Sequence, residues 1–416
     1  MASFVETIKV SAHDNTNPDP NEWKSQISTG VGFFDHMLDQ IQSHGLISLS
    51  VTTPGFLLET SSPSAKKDMI NRHVDSQEEI SSTIGTKLGS ALNALLPPST
   101  SLSPQTFYCP LDESLVRCTL TPSTSPTLTF NVTTPTGGLG KFNRTKVGVW
   151  NLPCIKTFFK KLAQTLNVTI EFELVTGDNS HHIIESSFKS FSRCLRRLID
   201  APSQNRQNLP HSVFYGTSGT PPSSKTHEIS RQTKETNINV TLTLYPSPCV
   251  VSVSTGLPQF DSLLSTLFLS SNISADIKCN GDLWIDDHHL IEDVGISVGK
   301  CLLRVLGDKK GMNRMFWGGE GVRGVVDLSN RPFCGLEVGW GGEEVNGVSL
   351  EMVEHFFESL ANEARITLHV RDSNCGSDED KIIEICEVVG KAIWGCTKVD
   401  ERRGGKVASS KGTLCA

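Results

Sequence analysis

Two pentapeptides of the form His-His-x-x-Glu stand in this 416-residue chain, His181-His182-Ile183-Ile184-Glu185 and His288-His289-Leu290-Ile291-Glu292. Their flanks continue alike, to Cys194-Leu195 with Arg197 and to Cys301-Leu302 with Arg304. On a helix the first His lies four residues from the Glu and the second His three, so all three side chains share one face or its edge. Imidazole and carboxylate together suit a divalent transition metal such as Mn, Fe or Zn. One such pentapeptide is a weak signal, whereas two with matching flanks point to metal chemistry.

Each motif follows a strand-like stretch and a short polar turn, and each opens a helical pattern. Asn239 to Leu244 reads as a strand and Leu290 to Leu306 as a helix. Longer repeats set the organisation. Ser28-Thr29-Gly30 with Phe34-Asp35 recurs as Ser254-Thr255-Gly256 with Phe260-Asp261, and Phe158-Phe159 recurs as Phe356-Phe357. Ser223-Ser224-Lys225 recurs as Ser409-Ser410-Lys411. The chain therefore reads as a tandem duplication, copy one over 1–226 and copy two over 227–416. The Pro/Ser/Gly-rich stretch 216–225 serves as the linker. The likeness of the two pentapeptides makes each copy two related β/α halves, an α+β architecture with helices packed on mixed sheets.

A formal net charge of −7 and the lack of a basic tract argue against a nucleic-acid partner. Twelve cysteines without a Cys-x-x-Cys pair read as core thiols in a reducing compartment. The opening MASFVETIKV alternates like a strand and lacks a signal peptide's apolar stretch, and no apolar run is long enough to span a bilayer. A cytoplasmic protein with no membrane partner is the expectation.

Further segments carry a resemblance. They are Gly32-Phe33-Phe34-Asp35-His36-Met37-Leu38-Asp39-Gln40 with His44-Gly45, Pro110-Leu111-Asp112-Glu113, Gly177-Asp178-Asn179-Ser180 before the first pentapeptide, and Thr233-Lys234-Glu235-Thr236. Gly281-Asp282-Leu283-Trp284-Ile285-Asp286-Asp287 before the second, Gly307-Asp308-Lys309-Lys310-Gly311, His355-Phe356-Phe357 and Ser409-Ser410-Lys411-Gly412 complete the set. Over nearly its whole length the chain resembles imidazoleglycerol-phosphate dehydratase, which removes water from imidazole glycerol phosphate in histidine biosynthesis. Members normally carry one copy of the domain.

The resemblance implies four ligand elements: the His of Asp-His-Met, a first His-His-x-x-Glu, a His before Phe-Phe, and a second His-His-x-x-Glu. Copy one keeps His36 with the second motif, His181, His182 and Glu185. Its first motif has become Glu78-Glu79-Ile80-Ser81-Ser82, and Thr157 precedes Phe158. Copy two keeps the first motif, His288, His289 and Glu292, with His355. There Asp261-Ser262-Leu263 replaces Asp-His-Met, and Asp380-Lys381-Ile382-Ile383-Glu384 replaces the second motif. Lys381 at a ligand position would repel a cation. Each element survives once, so the expectation is one composite site shared between the copies.

The same resemblance assigns Arg314, Arg331 and Lys411 to the substrate phosphate and Gln40, His44 and Ser409 to substrate contacts, with Asp112-Glu113 retained only in copy one. Manganese is the implied cofactor, two ions per composite site, though residue chemistry alone admits iron, cobalt or zinc. Such ions would acidify the substrate's ring N–H and hold the imidazolate, while Glu185, Glu292, Glu235 or Glu6 moves the proton. The partners implied are a small phosphorylated imidazole and further copies of the chain, twelve of which would fill a twenty-four-domain shell. In isolation His36 and His44 read as core histidines, Lys225 and Lys411 as surface lysines, and Arg331 as a strand-start ion pair. The rival function is an inactive paralogue that assembles with a conventional dehydratase and tunes it.

Overall fold

A computed structural model describes residues 8–14, 26–53, 73–98, 102–201, 222–372, 376–403, 405–409 and 412–414. The chain splits into two compact units, Met1–Phe214 with Arg402–Gly404, and Tyr215–Glu401 with Gly405–Ala416.

Unit 1 contains β1 (Lys9–Asp14), β2 (Gln26–Ser28), α1 (Gly32–Gly45), β3 (Ile47–Thr52) and α2 (Gln77–Asn93). It continues through β4 (Gln105–Leu111), β5 (Ser114–Pro122), β6 (Leu128–Asn131), β7 (Lys146–Val147), β8 (Trp150–Asn151), α3 (Leu152–Leu166), β9 (Val168–Thr176) and α4 (Ser180–Ile199). Unit 2 opens with β10 (Lys225–Gln232), β11 (Thr236–Leu244), β12 (Val251–Ser254), α5 (Pro258–Ser271), β13 (Ile273–Gly281) and α6 (His288–Leu306). Then come β14 (Met315–Gly318), β15 (Val322–Asp327), β16 (Phe333–Glu337), β17 (Glu344–Val345), β18 (Val348–Ser349), α7 (Leu350–Ala364), β19 (Thr367–Asp372) and α8 (Asp378–Thr397). β10 begins inside the stretch read above as the linker.

The internal repetition is visible in the sheets. Orders β4-β5-β9-β6, β10-β11-β13-β12 and β14-β15-β19-β16 share one plan, two antiparallel pairings and a parallel edge strand. The β1-β3-β2 sheet follows it without a first strand among the described residues. Strands alternate buried and exposed positions, as β11 does with Ile238, Val240 and Leu242 inward, because one face lies under helices.

In unit 1 α1 packs on α4 and α2 on α3, while in unit 2 α5 packs on α8 and α6 on α7. Small residues let the backbones touch: a Cβ on Gly85 would stand 2.5 Å from the Phe158 carbonyl, and one on Gly299 2.8 Å from that of Leu360. The unit 1 core is aromatic, with Phe34 stacked on Trp150 at 4.1 Å and Phe158 on Phe188 at 5.7 Å. The ten described cysteines are all free thiols. Among the described residues no helix is long and apolar enough to cross a membrane.

Candidate metal centre

Each pentapeptide opens its helix as the strand before it ends. In unit 1 the Asn179 side chain caps α4 by accepting the His181 and His182 N–H groups at 2.9 and 3.4 Å. This cap fixes His181 in the first turn, next to His36 from α1. Glu185 Oε2 lies 2.9 Å from His181 Nε2 and 3.5 Å from His36 Nε2. In unit 2 Glu292 lies 3.7 Å from His288 Nε2 through one oxygen and 3.4 Å from His355 Nε2, on α7, through the other. Within each trio one donor atom per residue falls within 4.8 Å of the others. Two imidazoles and a carboxylate so placed can close on one ion with bonds of about 2.0–2.2 Å. The donor sets fit a divalent transition metal.

The second histidine of each motif departs from this arrangement. The sequence reading put all three side chains of a motif on one face or its edge, and the second histidine takes the edge because neighbours on a helix diverge by roughly 100°. His182 Nδ1 meets Glu113 Oε2 at 2.9 Å, with Asp112 4.0 Å from Nε2. His289 Nδ1 meets the buried Asp282 at 3.1 Å. A carboxylate on Nδ1 favours the tautomer that leaves the Nε2 lone pair available to a ligand. Glu113 comes from the β4–β5 turn and also accepts the Asn179 N–H at 3.1 Å. Burial opposes ionisation of Glu113, but the His182 contact, its own and Ser114's hydrogen bonds bring its pKa below the ordinary value. The Asp282 hydrogen bond raises the pKa of His289, and the charges of Asp282, Glu235 and Asp286 add to it.

Lys189, overlooked in the motif reading, completes the unit 1 trio. Its buried ammonium lies 2.7 Å from Glu185 Oε1, one turn along α4. Burial alone would raise the Glu185 carboxyl, but Lys189, His181 and His36 hold it far below the carboxylate range. The i,i+4 spacing was the available signal.

The lost elements have been rebuilt with hydrogen bonds. Thr157, in the place of His355, donates to Glu78, in the place of His288. Asp380 and Ser377 form a capping box at the start of α8. Glu384 accepts the Val322 N–H at 3.1 Å. Lys381 is buried between Asp372 at 3.4 Å and Asp378 at 3.7 Å and donates to the Gly339 carbonyl.

Among the substrate candidates, Gln40 is buried on α1 with Nε2 3.5 Å from His36 Nδ1, and His44 is buried one turn further on. Arg314 is buried and makes a two-pronged pair with Asp327 at 2.7 and 2.8 Å, while Nη1 donates to the Ala408 carbonyl at 2.7 Å. That carbonyl immediately precedes Ser409. Arg331 bonds the Ser329 carbonyl at 3.4 Å, so both arginines and Ser409 gather around the 327–331 turn. Glu235 is exposed at the tip of the β10–β11 turn. Lys411 and Glu6 lie outside the described residues.

A family model described as imidazoleglycerol-phosphate dehydratase matches residues 29–195 and 255–393. The chain belongs to that family. By family it is a hydro-lyase, and two matched segments are what a tandem duplication requires. It is 36% identical to the imidazoleglycerol-phosphate dehydratase of Sinorhizobium fredii over 197 residues, 46% of this chain and 96% of that protein. It is 35% identical to the Arabidopsis thaliana chloroplastic imidazoleglycerol-phosphate dehydratase 1 over 241 residues, 56% of this chain and 86% of that one. The crystal structure of the Staphylococcus aureus imidazoleglycerol-phosphate dehydratase aligns at 26% identity, TM-score 0.37, covering 42% of this chain and 99% of its own.

Proposed function

We propose that this chain is an active, metal-dependent imidazoleglycerol-phosphate dehydratase whose copies, 1–226 and 227–416, each supply half of one composite site. The observation that carries this reading is complementary retention. One unit keeps His36, His181 and Glu185, the other keeps His288, Glu292 and His355, and the matching positions opposite hold residues bonded to protein. The second histidines support it: His182 and His289 each turn from their own trio with the ring fixed by a carboxylate.

In this reading two manganese ions are held, His36, His181 and Glu185 serving one and His288, Glu292 and His355 the other. His182 and His289 are the remaining ligands. When bound, the ions would acidify the substrate's ring N–H, so that the ring serves as the electron source for the dehydration. Arg331 and Lys411, with Ser409 and the Asp327-braced Arg314, hold the phosphate, and Gln40 and His44 line the copy one side. Glu185 and Glu292 are committed as ligands, so Glu235 carries the proton from carbon to the departing hydroxyl, a role worth about 10²–10⁴-fold in rate. The chain assembles with itself, twelve copies completing a shell of twenty-four domains, in a reducing, cytosolic setting.

The test is dehydration of imidazole glycerol phosphate by the manganese-loaded chain, with His36→Ala and His289→Ala variants run alone and mixed. Activity lost in both single variants supports a shared site. An inactive, metal-bound chain overturns it and leaves a non-catalytic partner of a conventional dehydratase.

A further inference from the structure

In unit 2 one buried carboxylate ties the β10–β11 hairpin to helix α6. Asp293 Oδ1 accepts from Arg231 through Nε at 3.0 Å and Nη2 at 2.7 Å. Its Oδ2 accepts the Thr236 hydroxyl at 2.6 Å. Arg231 lies in β10 and Thr236 opens β11, so both strands are fastened to one residue. Between them Thr233 ties the turn internally, its hydroxyl accepting the Glu235 N–H at 3.1 Å and the Thr236 N–H at 2.9 Å. Glu235 is left at the exposed tip. On α6 Asp293 follows Glu292 directly and stands four residues after His289, on the same helix face.

Stability alone does not call for this network. Burying a carboxylate costs desolvation that its partners only return, and apolar side chains of similar volume would serve as well. Such a network does fix geometry. Counted from Glu78-Glu79, copy one carries Thr83 in place of Asp293, so it lacks this carboxylate.

We propose that Asp293 is a positioning residue. Through Arg231 and Thr236 it sets the Glu235 carboxylate against the α6 N-terminus that carries His288 and His289. The inference rests on the dehydratase reading for its catalytic consequence and on the hydrogen bonds for its structural one. Misplacing a reacting group by an ångström costs about 100-fold, so a loosened turn acts on turnover rather than on substrate binding.

The test uses the full, manganese-loaded chain with Asp293→Asn, and Thr236→Val as a milder second variant that removes one bond. Amide hydrogen exchange at Thr233 to Thr236 should quicken about 10-fold or more, with metal content unchanged. The turnover number should fall about 10- to 100-fold while KM stays within about 3-fold. In a Glu235→Gln background Asp293→Asn should add less than about 3-fold, because the residue acts through Glu235. Arg231→Lys should retain more turnover than Arg231→Ala. Unchanged exchange at the turn overturns the proposal whether or not the chain is active. So does full additivity with Glu235→Gln, or a loss traced to missing metal. An inactive parent chain with a turn that loosens on substitution overturns the dehydratase reading and the catalytic consequence, leaving only the structural tie.

Discussion

Thr157 donates its hydroxyl to Glu78 at 2.7 Å, in the places where the other copy holds His355 and His288. The scaffold beneath the two pairs is the same. α2 meets α3 through Gly85 and Gly89, and α6 meets α7 through Gly295 and Gly299, each a pair of glycines one turn apart. The helix crossing has been kept and the ligands exchanged, so the ligand set should be transferable. Glu78→His, Ser82→Glu and Thr157→His together should give the chain one additional divalent ion. Elemental analysis after dialysis checks this, and an unchanged metal count would mean that the crossing alone does not place the donors.

The carboxylates behind His182 and His289 give a second prediction. Glu113→Gln and Asp282→Asn keep shape but remove the charge that orients each ring. Each should weaken manganese binding by about 10- to 100-fold, as loss of an outer-shell partner does. Titration calorimetry on the metal-free chain measures it. Affinity equal to that of the parent would assign these histidines a structural role.

Much of this was legible from residue order. The strand, polar turn and His-His-x-x-Glu sequence announces a β/α unit whose helix starts at the motif, and Asn179 at the cap confirms why. Complementary loss was legible too, since Thr157 and Lys381 replace histidines in aligned segments. The orientation of His182 and His289 was hidden, because it depends on Glu113 and Asp282, which lie 69 and 7 residues away. The Arg231–Asp293 tie was hidden for the same reason, spanning 62 residues. Side-chain pairs across such distances follow from the packing of hairpin on helix, and no local spacing encodes them.

Arg314 and Arg331 look equivalent in sequence but should fail differently. Arg314 is buried with its guanidinium on Asp327 and Ala408. Arg314→Ala would strand the buried Asp327, at a cost of about 3–5 kcal/mol, and lower the unfolding midpoint. Arg331 is only partly buried and donates to the Ser329 carbonyl, so Arg331→Ala should instead raise KM while leaving the midpoint near that of the parent. Paired denaturation and kinetic measurements separate the two. Equal loss of stability in both would remove Arg331 from the phosphate site.

The start of α8 should respond to acid. Asp378 accepts the Gly341 N–H at 3.0 Å and the Gly342 N–H at 2.8 Å, and the Gly341 bond is the largest influence holding its pKa below 3.8. Ser377, through its hydroxyl and N–H, does the same for Asp380. A carboxyl whose folded pKa is depressed stabilises the fold above its unfolded value, and that contribution disappears as pH falls through the folded value. Asp380 is exposed and Asp378 only partly buried, so salt and solvent limit the size of the effect. Asp378→Asn should therefore be less stable than the parent at neutral pH, with the difference shrinking as pH falls past 3.8. Urea unfolding of both proteins across that range checks it. A difference that stays constant with pH would assign the loss to the geometry of the 339–342 loop rather than to charge.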